Sequence, residues 1–477
     1  MKKSILTFAA ATMLCSTMFA QLRATDQTGV NVFETPKTDT QFTGPKVEFG
    51  GSISMPYIAL TNSNSVTEQN PAKNSQALFL NSPNFALSMA NLNINSYLAD
   101  GITLQVTLYL ASKHHNETWV KGGYVQFDKV PFIKLDLLDQ IMKYTTIKVG
   151  QMDVNYGDAH FRRSDGGLAI YNPFMENYIM DEFATEIGAE ADVNYNGIIG
   201  TLAVTDGNLN PSLAYIDTTK ATGKNIYSNG IHNPSFIAKL GYDKQFNDKF
   251  RARLTGSVYT TVGAYSNTLF GGDRTGSNYS AIGYNLAPAT YTAFNGRFNP
   301  GLTDKLTTFM GNLFLKYKVL DNVAVESFTT YESAKGRTTN EATERTAKQI
   351  AEDVVIRFGK AENFFIGVRY NTVSADIAAA SAITAAKLND TNLSKNGVTT
   401  AYTIGQDAVP AYSIGISRLA ISGGWYVTKN IMAKVEYSNQ KYTGVPSLTT
   451  GATPKPLNYI LNGYEFHGLS AEAVISF

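Results

Sequence analysis

Apolar and polar residues alternate along most of this chain with a period of two residues. In the segment 102–111, every even-numbered residue from Ile102 to Leu110 is apolar, and polar residues such as Thr103 and Gln105 lie between them. Successive side chains of a β-strand point to opposite faces, so this pattern predicts strands that have one apolar and one polar face.

The same alternation recurs often enough to define a large sheet. Each segment has about ten residues, which is the length of a tilted strand that crosses a bilayer. A soluble β-sandwich, the alternative, would need a second apolar layer opposite the first, and the pattern contains none. We therefore predict an all-β fold, a transmembrane antiparallel β-barrel of about sixteen strands. The segments are 46–60, 85–98, 102–111, 119–129, 144–152, 184–194, 198–205, 233–244, 249–262, 306–318, 323–333, 349–359, 364–374, 411–427, 431–442 and 462–477.

The connections between these segments alternate in length. Every second connection is a tight turn that carries Asn, Asp or Gly, the residues that hairpin turns prefer. Short periplasmic turns and long external loops are typical of outer-membrane barrels, and an even number of strands places both termini in the periplasm. The long connections are 61–84, 153–183, 206–232, 263–305, 334–348, 375–410 and 443–461, and a short loop at 112–118 belongs to the same external series.

One connection on the short-turn side is an exception. Between the fourth and fifth segments, residues 131–143 carry Phe132, Leu135 and Leu138 at helical spacing. A continued strand is the alternative, because alternate residues from Ile133 onwards are apolar as well. We predict a short helix that caps the periplasmic side of the barrel.

The first twenty residues differ from the rest of the chain. Lys2 and Lys3 precede an apolar stretch, and the segment ends at Ala20, as in a secretory signal peptide. The only cysteine, Cys15, lies within it, and Leu14 before it does not fit a lipoprotein signal. The predicted organisation is a signal peptide at 1–20, a periplasmic or lumenal segment at 21–45 that lacks the alternation, and the barrel at 46–477.

Composition excludes several classes of function. The 477 residues are 43% hydrophobic, 12% aromatic and 17% charged. Cleavage after Ala20 removes Lys2 and Lys3, so 40 basic and 39 acidic residues become 38 and 39, and no basic excess is left to attract nucleic acid. A mature chain without cysteine has neither disulfides nor a cysteine nucleophile. No later stretch reaches the ~18 apolar residues that a membrane helix needs.

The most specific stretch of sequence adjoins the fifth segment. It contains Lys148-Val149-Gly150-Gln151, then Asn155-Tyr156-Gly157-Asp158-Ala159-His160-Phe161-Arg162-Arg163, and later Tyr171-Asn172-Pro173-Phe174. These residues resemble Gram-negative outer-membrane porins, specifically the porin-like β-barrels of Bacteroidota. The terminal Phe477 resembles the C-terminal signal that the barrel-assembly machinery reads, which is a feature of outer-membrane barrels in general. The resemblance implies a place in the outer membrane of a Gram-negative bacterium, biogenesis by the barrel-assembly machinery, and a third external loop, 153–183, that folds into the lumen.

That third loop carries the candidate constriction. Sixteen strands enclose an aqueous lumen, and its narrowest point decides which solutes pass. Aromatic residues such as Tyr156 and Phe161 are suited to anchoring the loop against the wall. The alternative is a solvated surface loop, and Arg162-Arg163 beside Asp165 could equally be a structural ion pair. The candidate residues are Asp158, His160, Arg162, Arg163, Asp165, Glu176, Asp181 and Glu182.

Strand parity also predicts which charged residues line the lumen wall. Arg369 lies near the middle of the thirteenth segment, across the barrel from the fifth, so we expect it to face the third loop. An acidic loop opposite a basic wall would create a transverse field that favours polar solutes over apolar ones. The candidate wall residues are Lys239, Arg251, Arg253, Arg357, Arg369, Glu186 and Glu190.

Four classes of function compete. A general diffusion porin needs only the barrel, the constriction and mixed charge. A substrate- or anion-selective channel is an alternative, as is a barrel whose external loops serve adhesion or secretion assembly. An enzyme is not expected, because none of the five His residues has a recognisable nucleophile beside it. The expected partners are small hydrophilic solutes, ions and outer-membrane lipid, without nucleic acid, metal or cofactor, and the sequence leaves a monomer or a homotrimer open.

Overall fold

The computed structural model describes eighteen parts of the chain. The predicted signal peptide, 1–20, and Asp165 lie outside the described residues. The described parts are 23–35, 37, 42–65, 78, 81–86, 88–111, 118–164, 167–182, 184–207, 234–261, 267–271, 280–283, 295–338, 341–379, 383–388, 402–406, 410–446 and 460–477.

Sixteen long strands form one antiparallel barrel, which confirms the predicted fold class. Apart from the closing pair, neighbours in the barrel are neighbours along the chain. The strands are β1 (Lys46–Ser63), β2 (Met89–Ala99), β3 (Ile102–Ala111), β4 (Trp119–Phe127), β5 (Thr145–Asp153), β6 (Thr185–Tyr195), β7 (Ile198–Thr205), β8 (Ser235–Asn247), β9 (Phe250–Thr261), β10 (Lys305–Leu320), β11 (Val323–Arg337), β12 (Arg345–Phe358), β13 (Phe364–Ile377), β14 (Tyr412–Thr428), β15 (Ile431–Thr443) and β16 (Glu465–Ser476).

The first and last strands close the barrel. One part of β1 pairs with β16, from Ser52 opposite Ser476 to Ser63 opposite Glu465. The preceding part of β1 pairs with β2. Because β1 and β16 pair, the sheet of sixteen strands has no free edge strand among the described residues, which is the condition for a β-structure in lipid. Two shorter pieces accompany the barrel: Asn84–Phe85 pairs with β1, and Ile383–Leu388 forms a hairpin with Tyr402–Gln406 between β13 and β14.

The alternation of the sequence separates the outside of the barrel from the inside. Leu240 on β8 is 68% exposed, whereas its neighbour Lys239 is 3% exposed. On β7, Leu202 is 68% exposed and Thr201 is 1% exposed. Apolar side chains therefore cover the outer surface of the strands, where lipid replaces water in a transmembrane barrel, and polar side chains point inward.

Tight turns join the strands at one end, as predicted. Asn196 and Gly197 connect β6 to β7 with φ of 50° and 86°. Positive φ at both central residues is the requirement of a type I′ hairpin turn, and Asn-Gly meets it at the lowest steric cost.

The predicted helix between β4 and β5 is also confirmed. Helix α1 spans Asp136–Met142, with Asp136 and Asp139 in its first turn, where negative charge suits the helix dipole. Met142 is buried, whereas Leu137 and Ile141 are exposed. Among the described residues, no helix is long and apolar enough to cross a bilayer.

Candidate channel lumen

The third external loop, L3 (residues 154–184), lies against the inner wall of the barrel in its described part. A solvated surface loop would be exposed, but Tyr156, Asp158, Phe174 and Met180 are each 0% exposed. Apolar residues of the loop pack on apolar residues of the wall, as Phe174 does in one cluster with Val355 of β12. The surface-loop alternative is therefore wrong for the described part of L3.

Near its beginning, L3 is bound to the wall through an ion cluster. Asp158 accepts bonds from Arg253 Nε and Nη2 of β9, both at 2.8 Å, and from Lys239 Nζ of β8 at 3.0 Å. Thr255 Oγ1 donates to the same carboxylate at 2.7 Å. Burial alone would raise the pKa of Asp158, but the charges of Arg253 and Lys239 outweigh it and hold this pKa well below its usual range. Asp158 is thus a fixed anion that joins the loop to two strands.

The middle of L3 contacts β12 and β13. Arg369 donates to the backbone carbonyl of Glu176 at 2.7 Å and forms a bidentate pair with Asp353 at 2.7 and 2.8 Å. Its guanidinium also lies over the rings of Phe174 and Tyr178, 4.1 and 4.5 Å from their centroids. Arg369 faces L3, as expected. The expectation placed it across the lumen from the loop, whereas it is in direct contact with it.

Residues 169–175 of L3 contact β15. Lys434 Nζ donates to the carbonyls of Ala169, Asn172 and Phe174 at 2.9–3.0 Å. The N–H of Met175 donates to Glu436 Oε2 at 2.7 Å. L3 therefore follows the wall from β8 to β15 in contact with it. The sequence led us to expect an acidic loop and a basic wall separated by open water, with an electric field between them. That expectation is wrong for this wall, because the opposite charges are in direct contact.

Other predicted L3 residues stabilise the loop itself. Arg163 and Asp181 form a bidentate ion pair within the loop, with contacts of 2.9 and 2.6 Å. The alternative given from the sequence was an ion pair of Arg162-Arg163 with Asp165. Burial, followed by the neighbouring Glu332 carboxylate of β11, raises the pKa of Glu182 well above its usual range. Arg162 and His160 are buried as well: Arg162 lies 3.9 Å from Glu326 Oε2, and the His160 ring centroid is 4.0 Å from that of Phe161.

The remaining predicted wall residues point inward and are paired. Each of them contacts a neighbouring strand or loop, so they act as structural pairs of the wall. Arg251 pairs with Asp243 at 2.6 and 2.8 Å, Arg357 with Glu326 at 2.8 Å, and Glu190 with Lys148 at 2.8 Å, while Glu186 accepts bonds from Tyr259 and Thr205.

Residues 23–35 and 37, named here the N-terminal strap, also lie inside the barrel. Glu34 pairs with Lys239 at 3.0 Å and Arg253 at 2.7 Å, so it shares two cations with Asp158 of L3. Phe33 contacts Phe161 of L3 and Phe314 of β10, with ring centroids 5.7 and 5.5 Å apart. Strap and loop thus form one packed unit on the wall that L3 follows.

The strap occupies the short-turn end of the lumen. The N–H of Gln27 donates to the carbonyl of Lys429 at 2.8 Å, and its side chain donates to the carbonyl of Ala361 at 2.7 Å. Both acceptors belong to short turns. Lys37 donates to the carbonyls of Asp128, Met142 and Thr145. Sequence reasoning left this segment undecided between periplasm and lumen, because it carries no periodic pattern.

A polar cavity of about 680 Å³ remains beside this packed unit. It lies between the strap and L3 on one side and the inner faces of β2 to β6 on the other, and residues 48–50 of β1 line it as well. Its wall residues include Asn93, Asn95, Gln105, Thr107, Tyr124, Gln126, Thr146, Lys148, Glu190 and Asp192, and Arg23, Phe33, Lys37, His160 and Tyr171 face them. Within the described parts of the chain, no cluster of His, Cys, Asp and Glu is suited to hold a metal ion.

Comparison with known proteins gives similarity of fold. No protein-family model matches the chain, and no curated protein matches its sequence. An anion-selective porin from Comamonas acidovorans is 9% identical, with 91% of this chain and 100% of that chain covered and a TM-score of 0.46. The outer membrane channel DcaP of Acinetobacter baumannii is 12% identical, with 92% and 99% covered and a TM-score of 0.44. Pseudomonas putida OprB at high pH is 9% identical, with 91% and 94% covered and a TM-score of 0.46.

Proposed function

We propose that this protein is an outer-membrane porin of a Gram-negative bacterium, a member of the porin-like barrels of Bacteroidota. It forms a water-filled channel for the passive diffusion of small hydrophilic solutes and ions. The observation that carries the proposal is a closed barrel, apolar outside and polar inside, that retains a polar cavity of about 680 Å³. A barrel of sixteen strands is wide enough for an aqueous lumen even when one loop occupies part of it.

The constriction belongs to L3 and the N-terminal strap together. L3 narrows the lumen because it contacts the inner wall from β8 to β15, and the strap lies beside it through Phe33 and Glu34. Buried side-chain pairs such as Asp158 with Arg253 hold this constriction in one position, because a buried ion pair costs several kcal/mol to break on one side.

An anion-selective channel is the second candidate, and the pairing of the basic residues argues against it. Arg253, Arg357 and Arg369 are at most 2% exposed, and each is bound to a carboxylate. Groups that are neutralised and buried do not form the basic track along which an anion would move. A barrel that uses its external loops for adhesion or secretion assembly is the remaining alternative.

Planar-bilayer recording of the purified protein tests the proposal. We expect steady, ohmic conductance steps, and entry of uncharged sugars into proteoliposomes that falls with sugar size. A folded barrel that conducts no ions would contradict the proposal and favour the loop-based functions. A channel blocked by a single class of solute would favour the substrate-specific alternative.

A further inference from the structure

We propose that solutes cross only on the β2 to β6 side of the lumen, and that this path favours cations and neutral hydroxyl-bearing solutes over anions. The inference rests on the proposed channel function. It assigns both a route and a solute class to the cavity between these strands and the packed unit of L3 and the strap.

The burial of inward-facing residues differs on the two sides of the barrel. Thr330 of β11 and Asn371 of β13 are 0% exposed, and Ser438 of β15 is 1% exposed, because L3 and the strap cover that wall. Asn95 of β2 and Gln105 of β3 also face inward, but they remain partly exposed and line the cavity. Among the described residues, the cavity is lined by residues of the second wall and by none of β7 to β16, so the path open to water and solutes runs along the second wall.

The uncharged part of the accessible wall suits hydroxyl-bearing solutes. Asn93, Asn95 and Gln105 present amides, each of which donates and accepts hydrogen bonds. Thr107 donates to Asn93, and Tyr124 donates to Gln105, so these two amides are held in fixed orientations by their neighbours. Fixed donors and acceptors along a path replace the water that a hydroxylated solute loses as it enters.

The charged part of the same wall is weakly acidic. Lys148 lies between Glu190 and Asp192, with both contacts at 2.8 Å, so one lysine faces two carboxylates. Six side-chain carboxylates border the cavity, and Glu34 among them is bound to Lys239 and Arg253, so five carboxylates are left to face four basic side chains. An excess of carboxylates attracts cations and repels anions in a narrow aqueous path.

Substituted cysteines test the route. In a Cys15→Ser background the chain contains no other cysteine, so a single introduced thiol reports its own accessibility. We expect a cationic methanethiosulfonate reagent to lower the conductance of Asn95→Cys and to leave Thr330→Cys unchanged. Ser438→Cys is a second covered control, and resistance of the folded barrel to detergent shows that each variant has assembled. Reaction at Thr330 and Ser438, or none at Asn95, would overturn the route.

Reversal potentials in a potassium chloride gradient test the solute class. We expect potassium to be preferred roughly twofold or more over chloride. Asp192→Asn should weaken this preference and Lys148→Met should strengthen it, whereas Asp321→Asn, in an exposed turn, should leave it unchanged. Chloride preference, or insensitivity to both lumenal variants, would overturn the inference while the porin function stands. A wild-type barrel without conductance would instead contradict the proposed function itself.

Discussion

Asp158 of L3 and Arg253 of β9 form a bidentate ion pair with both contacts at 2.8 Å, and their side chains are each 1% exposed. The two residues lie 95 positions apart along the chain. Lys239, Glu34 and Asp243 belong to the same cluster, so one group of five charges joins the loop, the strap and two strands. Because both the loop and the strap bind to it, this cluster is the main fixed point of the proposed constriction.

Asp158→Asn should loosen this fixed point. The amide keeps one acceptor but removes the charge, so Lys239 keeps only Glu34 as an ion-pair partner, and Arg253 keeps Glu34 and Asp243. Breaking a buried pair on one side lowers the free energy of unfolding by about 3 kcal/mol. We expect that loss in urea unfolding and noisier, larger conductance steps in bilayers. Asp321→Asn, whose carboxyl lies in an exposed turn, serves as the control and should change neither quantity.

Removal of the strap should widen the channel without unfolding the barrel. Residues 25–35 contribute to none of the sixteen strands, so we expect their deletion to leave the barrel folded. The deletion removes Phe33 and Glu34 from one side of the cavity, and single-channel conductance should rise. Replacing the same residues with a Gly-Ser segment of equal length should have a similar effect, because it removes the contacts and keeps the chain length. Unchanged conductance in both variants would show that the strap does not border the path of ions.

The strands could be predicted from the sequence because their signal is local. The predicted segments 102–111 and 198–205 coincide with β3 and β7 as observed. A strand between lipid and water must alternate residue by residue, so ten neighbouring positions suffice to find it. Where the strands extend beyond this alternation, as β12 does by beginning at Arg345, the prediction was too short.

The arrangement of the lumen could not be predicted, because it depends on partners far apart in sequence. Glu34 meets Lys239 and Arg253, 205 and 219 residues away, and no periodic pattern links them. The alternation along the strands predicted that Arg253 and Arg369 face inward. It could not show whether the wall around them is exposed to the lumen or covered by L3. That distinction depends on where L3 lies in three dimensions.

Arg369→Ala should act through the stability of L3. The substitution leaves Asp353 without its bidentate partner and removes a donor from the carbonyl of Glu176. We expect the free energy of unfolding to fall by about 3 kcal/mol and the conductance to become unsteady. Arg369→Lys should restore only part of both, because an ammonium cannot make the two parallel bonds of a guanidinium. A large change in ion preference at unchanged stability would instead indicate that Arg369 acts by its charge on the path.

His160 should make the folded barrel less stable in acid. Burial, followed by the charge of Lys239, lowers the pKa of His160 from 6.5 to about 3. In the unfolded chain His160 is therefore protonated as the pH falls through about 6.5, whereas in the folded chain it stays neutral down to about pH 3. The stability that neutral His160 contributes is complete above the unfolded pKa and is lost as the pH falls through this window. We expect the wild type to lose more free energy of unfolding between about pH 7 and about pH 4.5 than His160→Gln, whose side chain does not titrate. Urea unfolding of both proteins in lipid vesicles measures the difference, and the effects of carboxylates common to both cancel in the comparison. Equal losses in the two proteins would mean that His160 takes up its proton in the folded barrel, and that the surroundings of the loop residue are more polar than its contacts with Phe161 indicate.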